Sequence, residues 1–498
     1  MPVQYAATFP FITYAGDVLA NQPFEGTLDA SIKIDTSIVG SGSFGGFSET
    51  VSEIAIINAE GLYDTLPDIY SINGQIVTLK LGILGDRLIV DPYNSFVTIA
   101  ILTAERMSIN RTQLQIELRD QAAPLTTETV QQNVYDGTGD INGGEDIAGK
   151  RRPKGYGVVF NASPTLVIPN LLIWQFHDGP VASVEAVKDG GIQLTFAADY
   201  PTVFDLTVNI TDPGFYSTCI AEGYFILGGV SFKQVTVDFT AQQLTTADII
   251  EEIALNSAGL SPSVIDTNAF DQLNTDQPAT VSYFLDSDSS TTCADAFTAL
   301  MTGVGGWWGM TSLGLLTVQI FKAPTAAGNA KLYDTHGGQM LDIDQIPLPN
   351  DIDPPPHRQR CKYARNWTVM TDLFGEVSEG DPTTANLLMN ESQIASTGDA
   401  MSADVLTNYP DAPDPDPIES YFANFADAFA EANRVFTLYS SGYRLFRFRL
   451  KQSMFLHSIG DIVNVSDTRL GLTNGRYLRV VSISESTDDM TTEIQGYG

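Results

Sequence analysis

Residues 149–191 read GKRRPKGYGVVFNASPTLVIPNLLIWQFHDGPVASVEAVKDGG. The stretch opens with the densest positive cluster in the chain: Lys150, Arg151, Arg152 and Lys154. Gly155 and Gly157 punctuate a turn after it. Apolar residues 158–160 follow, then a run from Leu166 to Phe176 interrupted at Pro169 and preceded by Pro164. A proline inside a helix costs about 3 kcal/mol, so the run is extended. It ends in the polar turn His177-Asp178-Gly179-Pro180. The prediction is a strand, a sharp corner and a second short strand leading into the His-Asp-Gly turn.

Working outward, a chain of 498 residues is too long for one core and implies three or four domains. With 43% hydrophobic and 17% charged residues it has the composition of a core-forming protein. The charge is one-sided, 26 basic against 60 acidic residues, for a net charge of -34. Sequence-independent DNA affinity needs clustered Lys and Arg, and only Lys150 to Lys154 offers a cluster. The acidic balance fits first solubility or a salty habitat, and second a surface that DNA slides past without sticking.

Residues 1–148 read as a β domain. Gln113 to Leu118 alternates, with Leu114, Ile116 and Leu118 on one face. Residues 52–57 and 96–102 are further strands, and Asn73-Gly74 predicts a hairpin turn before residues 76–81. The loop Gly40-Ser41-Gly42-Ser43-Phe44-Gly45 matches a dinucleotide fingerprint by letter only, since no strand-helix-strand unit surrounds it. Residues 136–146, DGTGDINGGED, lack the spacing of a calcium loop and read as a polar lead into the basic cluster. Residues 149–240 form a β-rich hub segment, with strands at 183–187, 192–196, 204–210 and 235–239.

Residues 241–325 change period and form an α+β domain: helix, strand, helix, hairpin. One helix starts at Thr245 to Asp248, with Ile249, Ile250, Ile253 and Ala254 on one face. Another begins near Ser290, buries Cys293, Ala296, Phe297, Leu300 and Met301, and ends at Gly303. Trp307 and Trp308 start the hairpin. Neighbours in a strand face opposite sides, so one enters the core and the other faces out or toward a partner. Residues 326–498 form a C-terminal β domain with one amphipathic helix, marked by Phe422, Phe425, Phe429, Ala432, Phe436 and Tyr439 and capped by Gly442. Residues 347–356 and 411–417 are proline-rich connectors. In residues 444–451, Phe446, Phe448 and Leu450 point inward, and Arg447, Arg449 and Lys451 form a basic stripe that should meet an acidic neighbour surface. Hairpins are expected at Asn474-Gly475 and Asp488-Asp489.

No catalytic set emerges. His177, His336, His357 and His457 lie in different elements, and there is no HExxH, GxSxG or phosphate-binding loop. Cys219, Cys293 and Cys361 are far apart and odd in number, so neither a zinc ribbon nor a disulfide framework is expected. No cofactor and no metal is implied. His177-Asp178 is the best residual candidate for a site, but the favoured reading is a turn whose side chains bond the backbone. Residues 1–16 contain no Lys or Arg and do not read as a secretory signal. No apolar run reaches the roughly 18 residues of a spanning helix, so no stable membrane insertion is expected.

The basic lead and VVF, then QFHDGPV (175–181) and VEAVKDGG (184–191), resemble the tail-tip or baseplate hub proteins of long-tailed bacteriophages and of phage-like particles such as gene transfer agents. CIAEGYFILGG (219–229), GVGGWWG (303–309) and KYARNWTVM (362–370) are similar to segments of the same family. The resemblance runs from about Ser52 to the end. It implies a mainly β, multidomain tail-hub architecture with an α+β insertion and two tube-like β domains, interleaved in sequence. It further implies a non-enzymatic virion protein at the tail tip, made in the bacterial host cytoplasm. Such proteins form a homotrimeric ring below the sixfold tail tube. Their partners are the distal tail protein, the tape-measure protein and a tail fibre or spike, and DNA passes without specific binding during ejection into the attached host. Lys150, Arg151, Arg152, Lys154, Arg447, Arg449, Lys451, Trp307 and Trp308 are the candidate interface residues. The competing readings are a particle-borne or secreted glycan hydrolase, using paired carboxylates beside the tryptophans, and a non-catalytic carbohydrate- or receptor-binding adhesin.

Overall fold

The computed structural model describes residues 5–29, 32–40, 44–82, 92–326, 330–451 and 454–498. Lys154–Ala162 is one continuous strand that holds Gly155 and Gly157 inside it, where the sequence suggested a turn. The glycines are there for close approach. A Cβ on Gly155 would lie 2.4 Å from the Phe239 ring. Gly157 has φ +70°, and its Cβ would lie 1.7 Å from the Val281 carbonyl oxygen. The strand pairs with Val235–Thr240 on one side and Ser282–Leu285 on the other. The proline-framed run becomes Thr165–Ile168, a turn, and Ile173–Gln175, which enter a different sheet.

Two five-stranded sheets result. The inner one runs Ile192–Gln193, Ser183–Asp189, Val235–Thr240, Lys154–Ala162, Ser282–Leu285. The outer one runs Thr165–Ile168, Ile173–Gln175, Tyr224–Leu227, Phe215–Cys219, Thr195–Asp199. Val159, Phe176, Val187, Phe225, Val237 and Phe239 fill the space between them. On its far face the outer sheet is covered by Tyr135 and by Val203 and Leu206 of the helix Val203–Val208. Burial on both faces explains the unbroken apolar run Tyr224–Leu227: Phe225 and Leu227 face the inner sheet, Tyr224 and Ile226 the other side. The sequence reading placed a strand at 204–210; the structure has a helix there, started by Thr202, whose hydroxyl accepts from the Asp205 N–H.

Ser282–Leu285 joins the sandwich to the α+β part. Phe284 packs into the sandwich core, while Tyr283 and Leu285 pack into a second core. That core gathers the helices Thr246–Glu252, Thr267–Asp276, Cys293–Gly303 and Phe425–Ser440 around the hairpin Gly306–Met310/Leu316–Ile320. Thr245, Asp266, Thr292 and Asn424 cap these helices, each accepting from the N–H three residues on. The positive φ that follows Cys293–Gly303 falls on Gly305 at +61°, not on Gly303. Phe422 sits on the strand Ile418–Phe422, ahead of the helix. The helix buries Ala428, Ala432, Val435 and Phe436, whereas Phe425 and Phe429 stack on each other outside.

The C-terminal sheet is eight-stranded. Its main path is Lys331–Asp334, Ile462–Ser466, Arg476–Ser486, Thr491–Tyr497, Leu445–Lys451, Met340–Ile346. The long strand Arg476–Ser486 pairs with Ile462–Ser466 over its first half and with Lys33–Val39 over its second. Lys33–Val39 in turn pairs with Phe44–Val51. A separate four-stranded sheet holds Ile54–Ile57, Gln113–Arg119, Val97–Ile109 and Ile76–Leu81. Asn73-Gly74 is not a hairpin turn, because the helical turn Leu66–Ile69 precedes it; Gly74 does take φ +80°. In the glycine-serine loop, residues 41–43 lie outside the described residues; strands flank it on both sides. The architecture is mainly β and multidomain, with an α+β portion.

Candidate functional site

The basic lead turns inward on its own chain. Lys150 pairs with Asp288 at 3.0 Å. Arg151 Nη1 donates to the Gln131 carbonyl at 2.5 Å. Arg152 donates to Tyr224 Oη and Asn142 Oδ1, each at 3.0 Å, and lies over the Tyr135 ring. Lys154 reaches Glu252 at 3.5 Å. These four cations fasten residues 131–142 and the α+β helices to the sandwich, so no concentrated cation surface is presented to a phosphate backbone.

Trp307 and Trp308 face opposite sides of their strand, as alternation requires. Both are packed. Trp307 is buried in the core of the C-terminal sheet and stacks on Phe47. Trp308 stands edge-on to Phe297 at 5.3 Å, and its Nε1 donates to Thr298 Oγ1 at 3.0 Å. Leu445–Lys451 alternates as its sequence demands, with Phe446, Phe448 and Leu450 buried and Arg447, Arg449 and Lys451 exposed. The acidic surface beside the stripe includes the neighbouring strand of the same sheet: Arg449 grips Asp342, and Arg447 lies 3.5 Å from Asp344.

His177 is buried, and both ring nitrogens face carbonyl oxygens: Nδ1 that of Gly179 at 3.1 Å, Nε2 that of Gly155 at 3.0 Å. Burial, reinforced by the charge of Lys154, pulls its pKa down to about 4. The imidazole is neutral near pH 7, so it donates to one carbonyl only. His357 Nδ1 lies 2.6 Å from Ser402 Oγ, a contact the sequence did not suggest. It has the distance of a nucleophile–base pair, yet among the described residues no carboxylate forms an ion pair with His357. Ser402 sits inside the helix Asp399–Asn408 with its side chain buried. His457 meets Tyr333 Oη, and the nearby buried Glu485 has its pKa raised to about 7, chiefly by desolvation.

Cys219, Cys293 and Cys361 are buried and unbridged, with burial pushing their thiols up to about 11, 12 and 12. Such thiols stay protonated and unreactive at neutral pH. Among the described residues no group of three or more His, Cys, Asp or Glu is placed to hold a metal ion. No described helix is long and apolar enough to cross a membrane.

No family model matches the chain. No curated protein matches it. Among solved structures it is similar to a 43 kDa tail protein of prophage MuSo2 from Shewanella oneidensis, with 11% identity, 96% of each chain covered and a TM-score of 0.38. It is similar also to a tail protein from Neisseria meningitidis, with 9% identity, 94% of this chain and 92% of that one covered, and a TM-score of 0.37. A chain from the virion of a native gene transfer agent particle has 13% identity, with 70% of this chain and 84% of that one covered, and a TM-score of 0.38. TM-scores below 0.5 leave fold and role to be argued from the chain itself.

What the side chains assemble is a set of internal clamps. One of them was missed in the sequence: Glu431 and Arg434, one turn apart on Phe425–Ser440. Arg434 donates through Nε and Nη2 to the buried Glu431 carboxylate at 2.8 and 2.6 Å, and through Nη1 to the Phe321 carbonyl at 2.5 Å. Its only sequence signal is a charge pair in an otherwise apolar helical period.

Proposed function

We propose that this chain is a structural tail protein of a bacteriophage or phage-like particle, acting as the tail-tip hub. In this reading three copies form a ring that joins the sixfold tail tube to the distal fibre or spike. The ring nucleates tail assembly with the tape-measure protein and opens for DNA delivery. The observation that carries the reading is the interleaved β architecture: strands 33–51 complete a sheet built otherwise from residues 331–497. It matches the interleaved, tube-like β domains that the resemblance at residues 149–191, 219–229, 303–309 and 362–370 implies. The inward-turned cations of residues 150–154 and the net charge of -34 suit a protein that DNA passes without being held.

Gold-tagged antibody to this chain, applied to intact particles and viewed by electron microscopy, tests the placement. Gold is expected at the distal end of the tail. Gold on cells or in soluble fractions, with bare tails, would overturn it.

A further inference from the structure

Two glutamates lie where the early strands join the late sheet. In the paired register Glu485, Ile34 and Val51 form one row across three strands, and Ile483, Thr36 and Glu49 form the next. Residues two apart in a strand share a face, so these six do, with the carboxyls at diagonal corners. Toward one end of this face lies the core of the C-terminal sheet, which takes Ile483 and, two residues before Glu49, the Phe47 ring stacked on Trp307. Toward the other lies a separate core, in which Ile34 meets Ile54, Leu79, Ile99 and Leu102 of the four-stranded sheet, with Val51 and Phe455 packed against it. Glu49 and Glu485 mark the seam between the two cores.

We propose that this seam is a proton-dependent joint: while both carboxyls carry protons the four-stranded sheet stays docked on the C-terminal sheet, and their ionisation loosens it. The inference is independent of the tail-tip reading. Glu49 Oε1 is enclosed and has no hydrogen-bond partner among the described residues, and Oε2 has only the Thr36 hydroxyl at 3.5 Å. The charge facing it is Asp120, of the same sign, on the segment that leaves Gln113–Arg119. Glu485 is buried, accepts from the Phe455 N–H and faces His457, which itself meets Tyr333 Oη and lies 3.8 Å from Asp461. Lys33 and Asp35 pair with each other on the opposite face of their strand and leave the seam without their charge. Desolvation, joined at Glu49 by the charge of Asp120, raises both carboxyls to about 7 from an ordinary 4.5. A raised carboxyl stabilises the closed form fully below about 4.5 and loses that contribution as pH rises through 7. Both carboxylates regain water only if the packed faces part. Residues 52 and 53 alone link Phe44–Val51 to Ile54–Ile57, which gives the sheet a short pivot at the seam.

Amide hydrogen exchange of the purified full chain at pH 6 and pH 8.5, corrected for the intrinsic pH dependence of exchange, tests this. Peptides from Lys33–Val39, Ile54–Ile57 and Val97–Ile109 report the joint, and peptides from Lys154–Ala162 and Val235–Thr240 serve as the reference. Between the two pH values opening should become about tenfold more frequent for each carboxyl, about 100-fold for the pair, in the joint peptides only. Glu49→Gln and Glu485→Gln, which keep the shape of the protonated side chain, should each remove about tenfold of this, and the double variant all of it. Joint peptides that follow the reference in the wild type overturn the proposal without recourse to any variant. An excess that survives in the double variant overturns it also, and gives the pH response to Asp120 or His457. An excess that one single variant abolishes entirely overturns the paired device and leaves a lone titrating carboxyl.

Discussion

Phe47 and Trp307 stack face to face, with ring centroids 5.1 Å apart and planes 8° from parallel. The two rings tie the strand Phe44–Val51 to the hairpin at Gly306–Met310, and Gly309 leaves the room for it: a Cβ there would lie 2.0 Å from the Phe47 ring. Trp307→Ala should destabilise by about 3–5 kcal/mol, as buried aromatic deletions do. A double-mutant cycle with Phe47→Ala should return a coupling of about 0.5–1.5 kcal/mol. Urea unfolding of the four proteins checks both values.

The clamp between Glu431 and Arg434 predicts an asymmetry. Arg434→Met strands a buried carboxylate and should cost about 3–5 kcal/mol. The double variant Glu431→Leu/Arg434→Met removes both charges and should recover most of that loss. Thermal unfolding of the single and double variants measures the difference.

His177 and Glu485 should tilt stability with pH in opposite directions. The folded pKa of His177 is depressed to about 4, so its contribution is complete above the free value near 6.5. It is lost as pH falls from there toward 4, a change of about 3 kcal/mol. Glu485 is raised to about 7, so its contribution is complete below about 4.5 and is lost as pH rises to 7, by a similar amount. Between about pH 4.5 and 6.5 the two slopes oppose each other, so in urea midpoints measured from pH 4 to 8, with Glu49→Gln as the background, His177→Gln should expose a fall in stability with rising pH from Glu485, and Glu485→Gln a rise from His177.

Arg152→Ala should lower Tm, because it frees Tyr224 and Asn142 and uncovers the Tyr135 ring. It should leave DNA retention unchanged at 0.15 M salt. A gel-shift titration beside calorimetry separates the two effects.

Local pattern carried much of this fold. Leu445–Lys451 is legible because strict alternation admits one face for Phe446, Phe448 and Leu450. The start at Thr245 is legible because a threonine precedes the helical period; the later helix is capped by Thr292, two residues beyond the start near Ser290 that the pattern suggested. The helix Thr267–Asp276 is not, since only Phe270 and Leu273 among its buried residues mark the face. The helix Phe425–Ser440 misleads only at its start: Ala432 and Phe436 of the expected stripe are buried, but Phe425 and Phe429 are exposed and Ala428 takes their place against the core. The basic lead misleads likewise, because charge density in sequence does not reveal that Asp288, Glu252 and Asn142 lie beside it.

The pairing of Lys33–Val39 with Arg476–Ser486 has a consequence during synthesis. Ile32 and Thr487, which hydrogen-bond to each other at its end, are 455 residues apart. At roughly 5–20 residues per second, the early strands wait about 20–90 s on the ribosome before their partner emerges. Meanwhile the sandwich can fold from residues already made, but Lys33–Val39 and Phe44–Val51 remain a hairpin with an open edge. Newly made chains at high concentration are therefore most prone to pair wrongly at that edge.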